Sequence, residues 1–519
     1  MTSVAGALFP FRAKELYEAS PGSGYKVNGW LGLLLMLVGL VTFRLGHLDD
    51  GDGICARGDI IAHWIVTGEP PYDVTELNVR RFGSIYEDKF YAAERARESY
   101  KYYYVLRFPH DENEWARQKR LSPLDSKLMA LGGVFGEKNG WERVNYFDPG
   151  NSGRRAGADQ RATGWHRLPF FEQAGEEHRA AREHAALWDL TSFGKLEVSG
   201  AGASALLQRL ADNDIDKPVG GVTYTQFLNP RGGIESDVTI VRMAENVFHV
   251  ITGSNFVASD LGWITMHLPD DNSVVVRDVT DEWAVIGLWG PRARAVLQAA
   301  TKSDVSNTAF PYMTARSIAI ADADVWAQRV TYVGELGWEF YLRPEHAGEV
   351  WDALMDAGQP HGLRPAGYKA LDSLRLEKGY RYWSSDLTPL ENPYEAGLGF
   401  CVKLNKGDGS TGSPCNFIGR EALLKIKSEG VKRKLCAVVL AHNSGLYGGE
   451  AVYHGERLLG RLRSAGYGYT IGQSIGYIYL PIELSAIGTP LDVEIFGERF
   501  PATIAADVMY DPQGEKIRE

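Results

Sequence analysis

The stretch of sequence that is most informative about the fold is Arg231-Gly-Gly-Ile-Glu-Ser-Asp-Val-Thr-Ile-Val-Arg242. The paired glycines indicate a tight turn, and the alternation of apolar and polar residues after them predicts a β-strand. The carboxylate of Asp237 is therefore expected at the mouth of a strand, where it can serve acid–base or electrostatic catalysis. The same pattern is also common in ordinary hairpin turns, so the turn alone leaves a purely structural role open.

Farther along, the chain reads Thr331-Tyr-Val-Gly-Glu-Leu-Gly-Trp-Glu339. In a regular strand Tyr332 and Glu339 would point to opposite faces, because their separation is odd. The glycines at 334 and 337 permit a bulge or turn that brings the two side chains to one side. A buried carboxylate here can accept paired hydrogen bonds from a flat, donor-rich ring. The alternative is a glycine-kinked hairpin with an aromatic core residue and a solvated glutamate.

Length and charge limit the class of protein. At 519 residues the chain is too long for one hydrophobic core and is expected to divide into about three or four domains. The net charge of −11 argues against a nucleic-acid face, because phosphate binding needs clustered Lys and Arg and the sequence shows no such stripe. No cysteine or histidine spacing is typical of a metal or redox site, so we expect no metal and reduced thiols. The cysteines are Cys55, Cys401, Cys415 and Cys436.

Further stretches follow in a characteristic order from near Ile54 to the C-terminus. They are Phe135-Gly-Glu-Lys-Asn-Gly-Trp-Glu-Arg143, Leu187-Trp-Asp-Leu-Thr191 and Ala370-Leu-Asp-Ser-Leu-Arg-Leu-Glu-Lys-Gly379. Together with the two segments above, they resemble the aminomethyltransferase (glycine cleavage T-protein) family. The resemblance is to the branch fused behind dimethylglycine and sarcosine dehydrogenases, with most of the N-terminal FAD domain missing.

The resemblance implies a role for four residues. Asp237 corresponds to the catalytic aspartate of the family, and Tyr332 and Glu339 correspond to residues that hold the pterin of tetrahydrofolate. Phe193 corresponds to a position that lines the pterin pocket, although an isolated apolar residue is often plain core. An arginine that binds folate in the aminomethyltransferases proper is replaced here by Leu371, which leaves recognition of the folate tail open.

The resemblance also implies an α+β fold. It consists of a folate-binding cloverleaf of ferredoxin-like units with a small antiparallel C-terminal β-barrel, preceded by an oxidoreductase remnant. We predict an atypical segment at 1–50, the remnant of an FAD-dependent oxidoreductase and its central domain at 51–150, the folate-binding domain at 151–430 and the barrel at 431–519. Local patterns predict strands at 195–198, 237–241, 247–252 and 329–333, and helices at 202–211, 347–357, 370–378 and 419–428. In the barrel, strand breaks are predicted at glycines 448, 449, 460, 466 and 472.

Residues 1–50 contain an apolar run between Trp30 and Phe43 that is shorter than the roughly twenty residues of a membrane span. It does not resemble a secretory signal, because no small-residue cleavage site follows it. A buried helix or strand pair, an interfacial anchor and a misread coding sequence all stay open. We favour a cytoplasmic protein with a non-spanning segment, and membrane association through this run is the alternative.

The dehydrogenase relatives carry a glycine-rich FAD fingerprint, and nothing before Gly51 supplies one. One stretch is similar to this fingerprint: Val198-Ser-Gly-Ala-Gly-Ala-Ser-Ala205. We interpret it as a strand-to-helix turn, because no Rossmann unit surrounds it. We therefore expect no FAD on this chain alone. A separate flavoprotein subunit is the expected partner.

The leading hypothesis is tetrahydrofolate-dependent transfer of an aminomethyl or methylene unit. The chain would be the folate half of an N-methyl amine dehydrogenase system that acts on a dimethylglycine-like or sarcosine-like amine. The alternatives are a non-catalytic folate-binding regulatory or scaffold protein, and a truncated gene product. The expected partners are a methylated amine and a flavoprotein, without nucleic acid or metal.

Overall fold

The computed structural model describes residues 52–68, 70, 72–75, 78–105, 111–151, 170–407, 416–440 and 445–519. The segment predicted at 1–50, with its apolar run from Trp30 to Phe43, lies outside the described residues. The chain divides into two compact units. The first falls within Met1–Arg107 and Glu112–Lys119, and the second within Phe108–Asp111 and Arg120–Glu519.

The described part of the first unit is helical. Helix α1 is Asp52–Thr67 and helix α2 is Lys89–Lys101. The Asp88 carboxylate accepts hydrogen bonds from the backbone N–H groups of Phe90 and Tyr91, and so caps the start of α2. Among the helices described here, none combines the length and the apolar composition that crossing a membrane requires.

The second unit mixes helices and strands, which confirms the predicted α+β class. Its helices are α3 (Asp125–Ala130), α4 (Phe171–Glu183), α5 (Ala203–Leu210), α6 (Val257–Met266), α7 (Ala293–Ala300), α8 (Ala347–Gly358), α9 (Tyr368–Lys378) and α10 (Arg420–Glu429). Its strands up to the last sheet are β1 (Gly133–Lys138), β2 (Trp141–Phe147), β3 (Ala185–Asp189), β4 (Gly194–Ser199), β5 (Val222–Leu228), β6 (Ile234–Ala244), β7 (Val247–Thr252), β8 (Val275–Asp278), β9 (Ala284–Trp289), β10 (Ala315–Ile320), β11 (Ala323–Gln328), β12 (Gly337–Leu342) and β13 (Leu363–Pro365).

Two sheets form the centre of this unit. The five-stranded sheet has the order β5-β6-β7-β4-β8 and is antiparallel throughout. The six-stranded sheet has the order β10-β11-β12-β9-β3-β13, and β13 runs parallel to β3. Helices α5 and α6 cover one face of the first sheet with residues such as Leu207 and Ile264. Helices α7 and α8 cover one face of the second with residues such as Leu297 and Trp351.

The other faces of these two sheets pack against each other. Ile251 of the five-stranded sheet shares a buried apolar cluster with Trp289 and Tyr341 of the six-stranded sheet. In a neighbouring cluster, Val241 of β6 packs near the partly buried Trp326 of β11. We call the region between these two faces the interlayer core. Because side chains alternate along a strand, every second residue of β6, β11 and β12 points into it.

The C-terminal sheet is an antiparallel half-barrel, which confirms the predicted small antiparallel domain. Its strands are β14 (Arg433–Leu440), β15 (Ala451–His454), β16 (Arg457–Arg461), β17 (Ala465–Gly468), β18 (Gln473–Pro481), β19 (Pro490–Ile495) and β20 (Glu498–Ala505), in the order β16-β15-β19-β20-β14-β18-β17. The strand breaks predicted at Gly460 and Gly466 are wrong, because both glycines lie inside strands. These strands, β16 and β17, are the edges of the sheet, where a missing side chain costs little packing.

Candidate functional site

The turn between β5 and β6 is built around Asn229. Its side-chain oxygen accepts hydrogen bonds from the backbone N–H groups of Arg231 and Gly233, each at 3.0 Å. Its amide nitrogen donates to the Pro389 carbonyl at 3.3 Å. An asparagine that bonds to the backbone two residues on is typical of a turn. This turn fixes where β6 begins, and with it the position of Asp237.

Gly233 in this turn lies directly against another loop. A Cβ added there would meet the carbonyl oxygen of Pro389 at 1.9 Å, so alanine must push two backbone segments apart. We expect Gly233→Ala to lower the free energy of unfolding by about 1–3 kcal/mol, the usual effect of overpacking. Chemical denaturation measures this change.

Gly348 in α8 is the matched control for that substitution. A Cβ added at Gly348 would meet the Lys127 side chain at 3.7 Å, which is ordinary van der Waals contact. We expect Gly348→Ala to be neutral or stabilising, because alanine favours a helix. Equal stability of Gly233→Ala and the unaltered protein would contradict the close packing of the turn.

A β-bulge decides which residue faces Asp237. The register of β5 and β6 is shifted between Phe227 and Leu228, so Gln226 is paired with Asp237. Without the shift, Thr225 would occupy that place. Paired residues of an antiparallel ladder lie on the same face, so the bulge places an amide beside the carboxylate.

Asp237 is half-buried on the face of β6 that borders the interlayer core. Gln226 Nε2 donates a hydrogen bond to Asp237 Oδ1 at 2.8 Å. Burial raises the pKa of Asp237 to about 6; hydrogen bonds from Gln226 and Tyr224 oppose the rise, and the charge of Asp212 adds to it. A carboxyl with this pKa can exchange a proton near neutral pH. Burial also raises the pKa of the neighbouring Cys401 thiol, which therefore stays protonated.

Tyr332 lies in a bend between strands. Strand β11 ends at Gln328, so the strand predicted at 329–333 is wrong. The Thr331 hydroxyl accepts hydrogen bonds from the backbone N–H groups two and three residues after it, at 3.2 and 3.1 Å. Such local bonds compete with a sheet ladder, which is why the chain bends here. The bend also removes the strict alternation that would put Tyr332 and Glu339 on opposite faces.

Tyr332 contacts Arg381 and Tyr380 and is influenced electrostatically by Asp237. Its hydroxyl donates to the Arg381 carbonyl at 3.0 Å, and its ring stacks on Tyr380 with 6.0 Å between centroids. Burial raises the pKa of Tyr332; the charge of Arg375 opposes this and the charge of Asp237 adds to it. Tyr332 and Asp237 therefore lie within electrostatic range of each other.

Glu339 lies on β12 and points to the same face as Tyr341, toward the interlayer core. Tyr341 Oη donates to Glu339 Oε2 at 2.7 Å. Burial raises the pKa of Glu339 to about 7, and this hydrogen bond opposes the rise. Its register partners are Gln328 on β11 and Gly287 on β9. A half-buried carboxylate with one such bond can still accept further donors.

Phe193 follows β3 in the connection to β4. Its ring stacks on Tyr368, with 6.5 Å between centroids, and the Arg143 guanidinium lies 3.9 Å from the centre of the Tyr368 ring. Phe193 and Tyr332 both pack as partly buried residues on the apolar cluster of the interlayer core. Core packing and a place beside a ligand are thus both compatible with its position.

Four side chains singled out from the sequence border the interlayer core: Asp237, Tyr332, Glu339 and Phe193. Within the described residues, no hydrogen bond joins two of them directly. Tyr224 and Gln226, which bond to Asp237, could not be predicted from the sequence, because the bulge that sets their register has no local signature. Among the residues that the structure describes, no group of three or more His, Cys, Asp or Glu side chains is placed to hold a metal ion.

Comparison with known protein families assigns the chain to one of them. A model of the GCVT N-terminal domain matches residues 124–406, more than half of the sequence. The chain belongs to the glycine cleavage T-protein family. Two further models match: the glycine cleavage T-protein C-terminal barrel domain at residues 433–511, and the FAD dependent oxidoreductase central domain at residues 67–122. This combination is typical of the branch of the T-protein family that is joined to dehydrogenases.

Individual relatives agree with this membership. The chain is 35% identical over 468 residues to mitochondrial dimethylglycine dehydrogenase of Mus musculus. This alignment covers 89% of this chain and 52% of that protein. It is 31% identical over 336 residues to an aminomethyltransferase of Bacillus pumilus, and that alignment covers 64% of this chain and 90% of that protein. The chain thus spans about half the length of the dehydrogenase it matches. That relative is mitochondrial, and the cytoplasmic localisation of this chain stays a prediction.

A solved structure shows the same fold. The glycine cleavage system aminomethyltransferase T from Bartonella henselae superposes with a TM-score of 0.64 at 23% sequence identity. The alignment covers 76% of this chain and 99% of that protein. The fold predicted for the T-protein region is therefore confirmed.

Proposed function

We propose that this chain binds tetrahydrofolate at the interlayer core and transfers to it a one-carbon unit from a methylated amine of the dimethylglycine or sarcosine type. It would act as the folate half of an N-methyl amine dehydrogenase system. The observation that carries the proposal is the half-buried carboxylate of Asp237, with a pKa of about 6, on a sheet face that packs against the face of Glu339. Membership in the T-protein family supports the folate part, and the similarity to dimethylglycine dehydrogenase supports the amine part.

The residues present suit a flat ring with N–H donors along one edge. Glu339 would accept paired hydrogen bonds from that edge, and Tyr332 and Phe193 would offer aromatic contact. Trp326 Nε1 is buried in the same region and has no hydrogen-bond partner among the described residues. An orphaned donor of this kind is uncommon in a folded protein, and a ligand that accepts from it would explain it.

Tetrahydrofolate, when bound, supplies the nucleophilic nitrogen that takes up the one-carbon unit. Asp237 would act in two ways. As an anion it stabilises the positive charge of the iminium that amine oxidation produces. Through a carboxylate oxygen it accepts the proton released at the attacking nitrogen and passes it to the departing amine. Gln226 and Tyr224 would hold the carboxylate in position for both steps.

Oxidation of the amine is assigned to a flavoprotein component. A dinucleotide site needs a strand, a glycine-rich turn and a helix. The described residues of the first unit form helices and turns, and we assign no FAD contact to them. In the second unit, the turn between β4 and α5 is the predicted strand-to-helix connection. It is filled by protein, since a Cβ at Gly200 would meet the Ser273 carbonyl oxygen at 2.2 Å.

Titration of the purified chain with 5-formyltetrahydrofolate, followed by calorimetry, tests the proposal. We expect saturable binding, and we expect Glu339→Ala to weaken it by at least about tenfold, because hydrogen bonds to a charged group contribute about 1.5–3 kcal/mol. Absence of binding by the unaltered chain would remove the proposal. Binding without methylenetetrahydrofolate formation from a methylated amine and a flavoprotein would favour the regulatory or scaffold alternative.

The pKa of Glu339 predicts how this binding depends on pH. The ionised carboxylate accepts both ring donors, whereas the protonated form accepts fewer, so ionisation of Glu339 strengthens binding. Since the pKa of Glu339 is about 7, affinity should rise as the pH increases through 7 and level off above it. Below pH 7 we expect affinity to fall by up to about tenfold for each pH unit. Calorimetric titrations between pH 5.5 and 8.5, roughly spanning that pKa, would measure the curve, and Glu339→Gln should flatten it.

A further inference from the structure

We infer that Gln328 is a second ligand-contacting residue beside Glu339 and that its amide recognises a ring carbonyl next to the N–H groups that Glu339 accepts. The inference rests on the proposed folate function and extends it to a residue that the sequence analysis did not single out. Gln328 is the last residue of β11, immediately before the bend that carries Tyr332.

The register of the six-stranded sheet places Gln328 directly opposite Glu339. Directly paired residues of an antiparallel ladder share one face, and their Cβ atoms are about 4.5–5.5 Å apart. On the other side of Glu339 the paired residue is Gly287, and the Trp289 ring lies so close that a Cβ at Gly287 would meet it at 2.7 Å. Of the two residues paired with Glu339 across the sheet, Gln328 is therefore the one with a polar side chain.

The amide of Gln328 is buried and unsatisfied. The residue is 1% exposed, and neither its Nε2 nor its Oε1 atom has a hydrogen-bond partner within the described part of the chain. Buried amide groups are nearly always bonded, because burying one without a partner forfeits its hydrogen bonds to water. An orphaned amide beside a carboxylate with a raised pKa is therefore expected to find its partner in a ligand.

The chemistry of a reduced pterin edge fits this pair. The exocyclic amine and the ring amide N–H are adjacent donors, which a carboxylate accepts together. The ring carbonyl next to the amide N–H is an acceptor, and Glu339 cannot satisfy it, because an ionised carboxylate has no donor. The NH₂ group of Gln328 supplies that donor. The two residues together form an acceptor–acceptor–donor array that matches a donor–donor–acceptor edge.

Gln208 in α5 offers a matched control. It is 2% exposed, so its burial is the same, but both of its polar atoms are bonded within the protein. Its Nε2 donates to Asp214 at 2.6 Å, and its Oε1 accepts from the Ile215 N–H at 3.4 Å. Leucine is similar in size to glutamine, so at either position it removes the amide and leaves an apolar side chain. The two variants should therefore differ in which property they change.

Calorimetric titration with 5-formyltetrahydrofolate and thermal melts of the free protein test the inference. We expect Gln328→Leu to bind about tenfold more weakly, the effect of losing one hydrogen bond of about 1.4 kcal/mol to the ligand. Its melting temperature without ligand should be unchanged or higher, because an unpaired buried amide has been removed. Gln208→Leu should show the reverse, with unaltered affinity and a lower melting temperature.

The outcomes separate this inference from the function on which it rests. If the unaltered protein binds the folate and Gln328→Leu binds it equally well, the inference is wrong and the proposed function stands. A fall in melting temperature for Gln328→Leu as large as that for Gln208→Leu would also overturn it, since the amide would then be bonded inside the protein. If the unaltered protein does not bind at all, both are removed.

Discussion

Replacing Asp237 by asparagine is expected to lower the rate of one-carbon transfer by about 100-fold or more, because a positioned acid–base group contributes 10²–10⁴-fold. Asparagine keeps the size of the side chain and can still bond to Gln226 and Tyr224. It carries no negative charge and does not take up a proton at neutral pH. Folate affinity should change little, since the proposal assigns ring recognition to Glu339. The measurement is methylenetetrahydrofolate formation with a methylated amine and a flavoprotein.

The pH profile gives an independent test of Asp237. As a base it must be ionised, and its pKa is about 6, so the rate should rise as the pH increases through 6 and reach a plateau above it. Asp260 is a matched control, because it is 2% exposed and burial raises its pKa to about 7. Its oxygens accept hydrogen bonds from the Ser236 and Thr252 hydroxyls on the other face of the sheet. If Asp237→Asn and Asp260→Asn lose rate equally, the catalytic assignment fails.

Arg182→Leu is expected to lower the free energy of unfolding by about 3–5 kcal/mol, the usual effect of removing one partner from a buried ion pair. Arg182 lies in α4 and its side chain is 5% exposed. It donates to the Glu335 and Glu377 carboxylates at 2.9 and 3.2 Å, and to the carbonyls of Val333 and Leu374 at 2.7 and 3.2 Å. Without it, two buried carboxylates lose their shared cation.

The same substitution should loosen the bend that carries Tyr332, because Arg182 holds the next residue, Val333, by its carbonyl. Burial alone would raise the pKa of Glu377, but His178 and Arg182 hold it at about 2. This depressed pKa adds stability that is fully present above the ordinary glutamate pKa and is lost as the pH falls toward 2. Denaturation of the variant is therefore best compared near pH 7.

Arg364 provides the control for Arg182. It pairs with Glu176 at 3.1 Å on the surface, where both side chains are more than half exposed. Exposed ion pairs contribute about 0–1 kcal/mol, so Arg364→Leu should have a small effect. If Arg182→Leu lowers the free energy of unfolding no more than this control does, the buried network contributes little to stability.

Regular elements with a clear period were predictable from the sequence. The strand predicted at 247–252 is β7, Val247–Thr252, and the helix predicted at 347–357 is α8, Ala347–Gly358. In both segments the apolar pattern on one face is what the neighbouring layer buries, so local and tertiary preferences agree. The strand predicted at 329–333 failed, because the Thr331 hydroxyl offers the backbone a local alternative to the ladder.

The sequence by itself determined the α+β class, the membership in the T-protein family through its ordered motifs, and the presentation of Asp237 on a strand after a glycine turn. These features depend on local periodicity and on residue type. Only the tertiary structure decided that Gln226 faces Asp237, that Gln328 faces Glu339, and that the two sheets turn these faces toward one core. The physical reason is that register and sheet packing depend on a one-residue bulge and on contacts between distant segments, which no local pattern specifies.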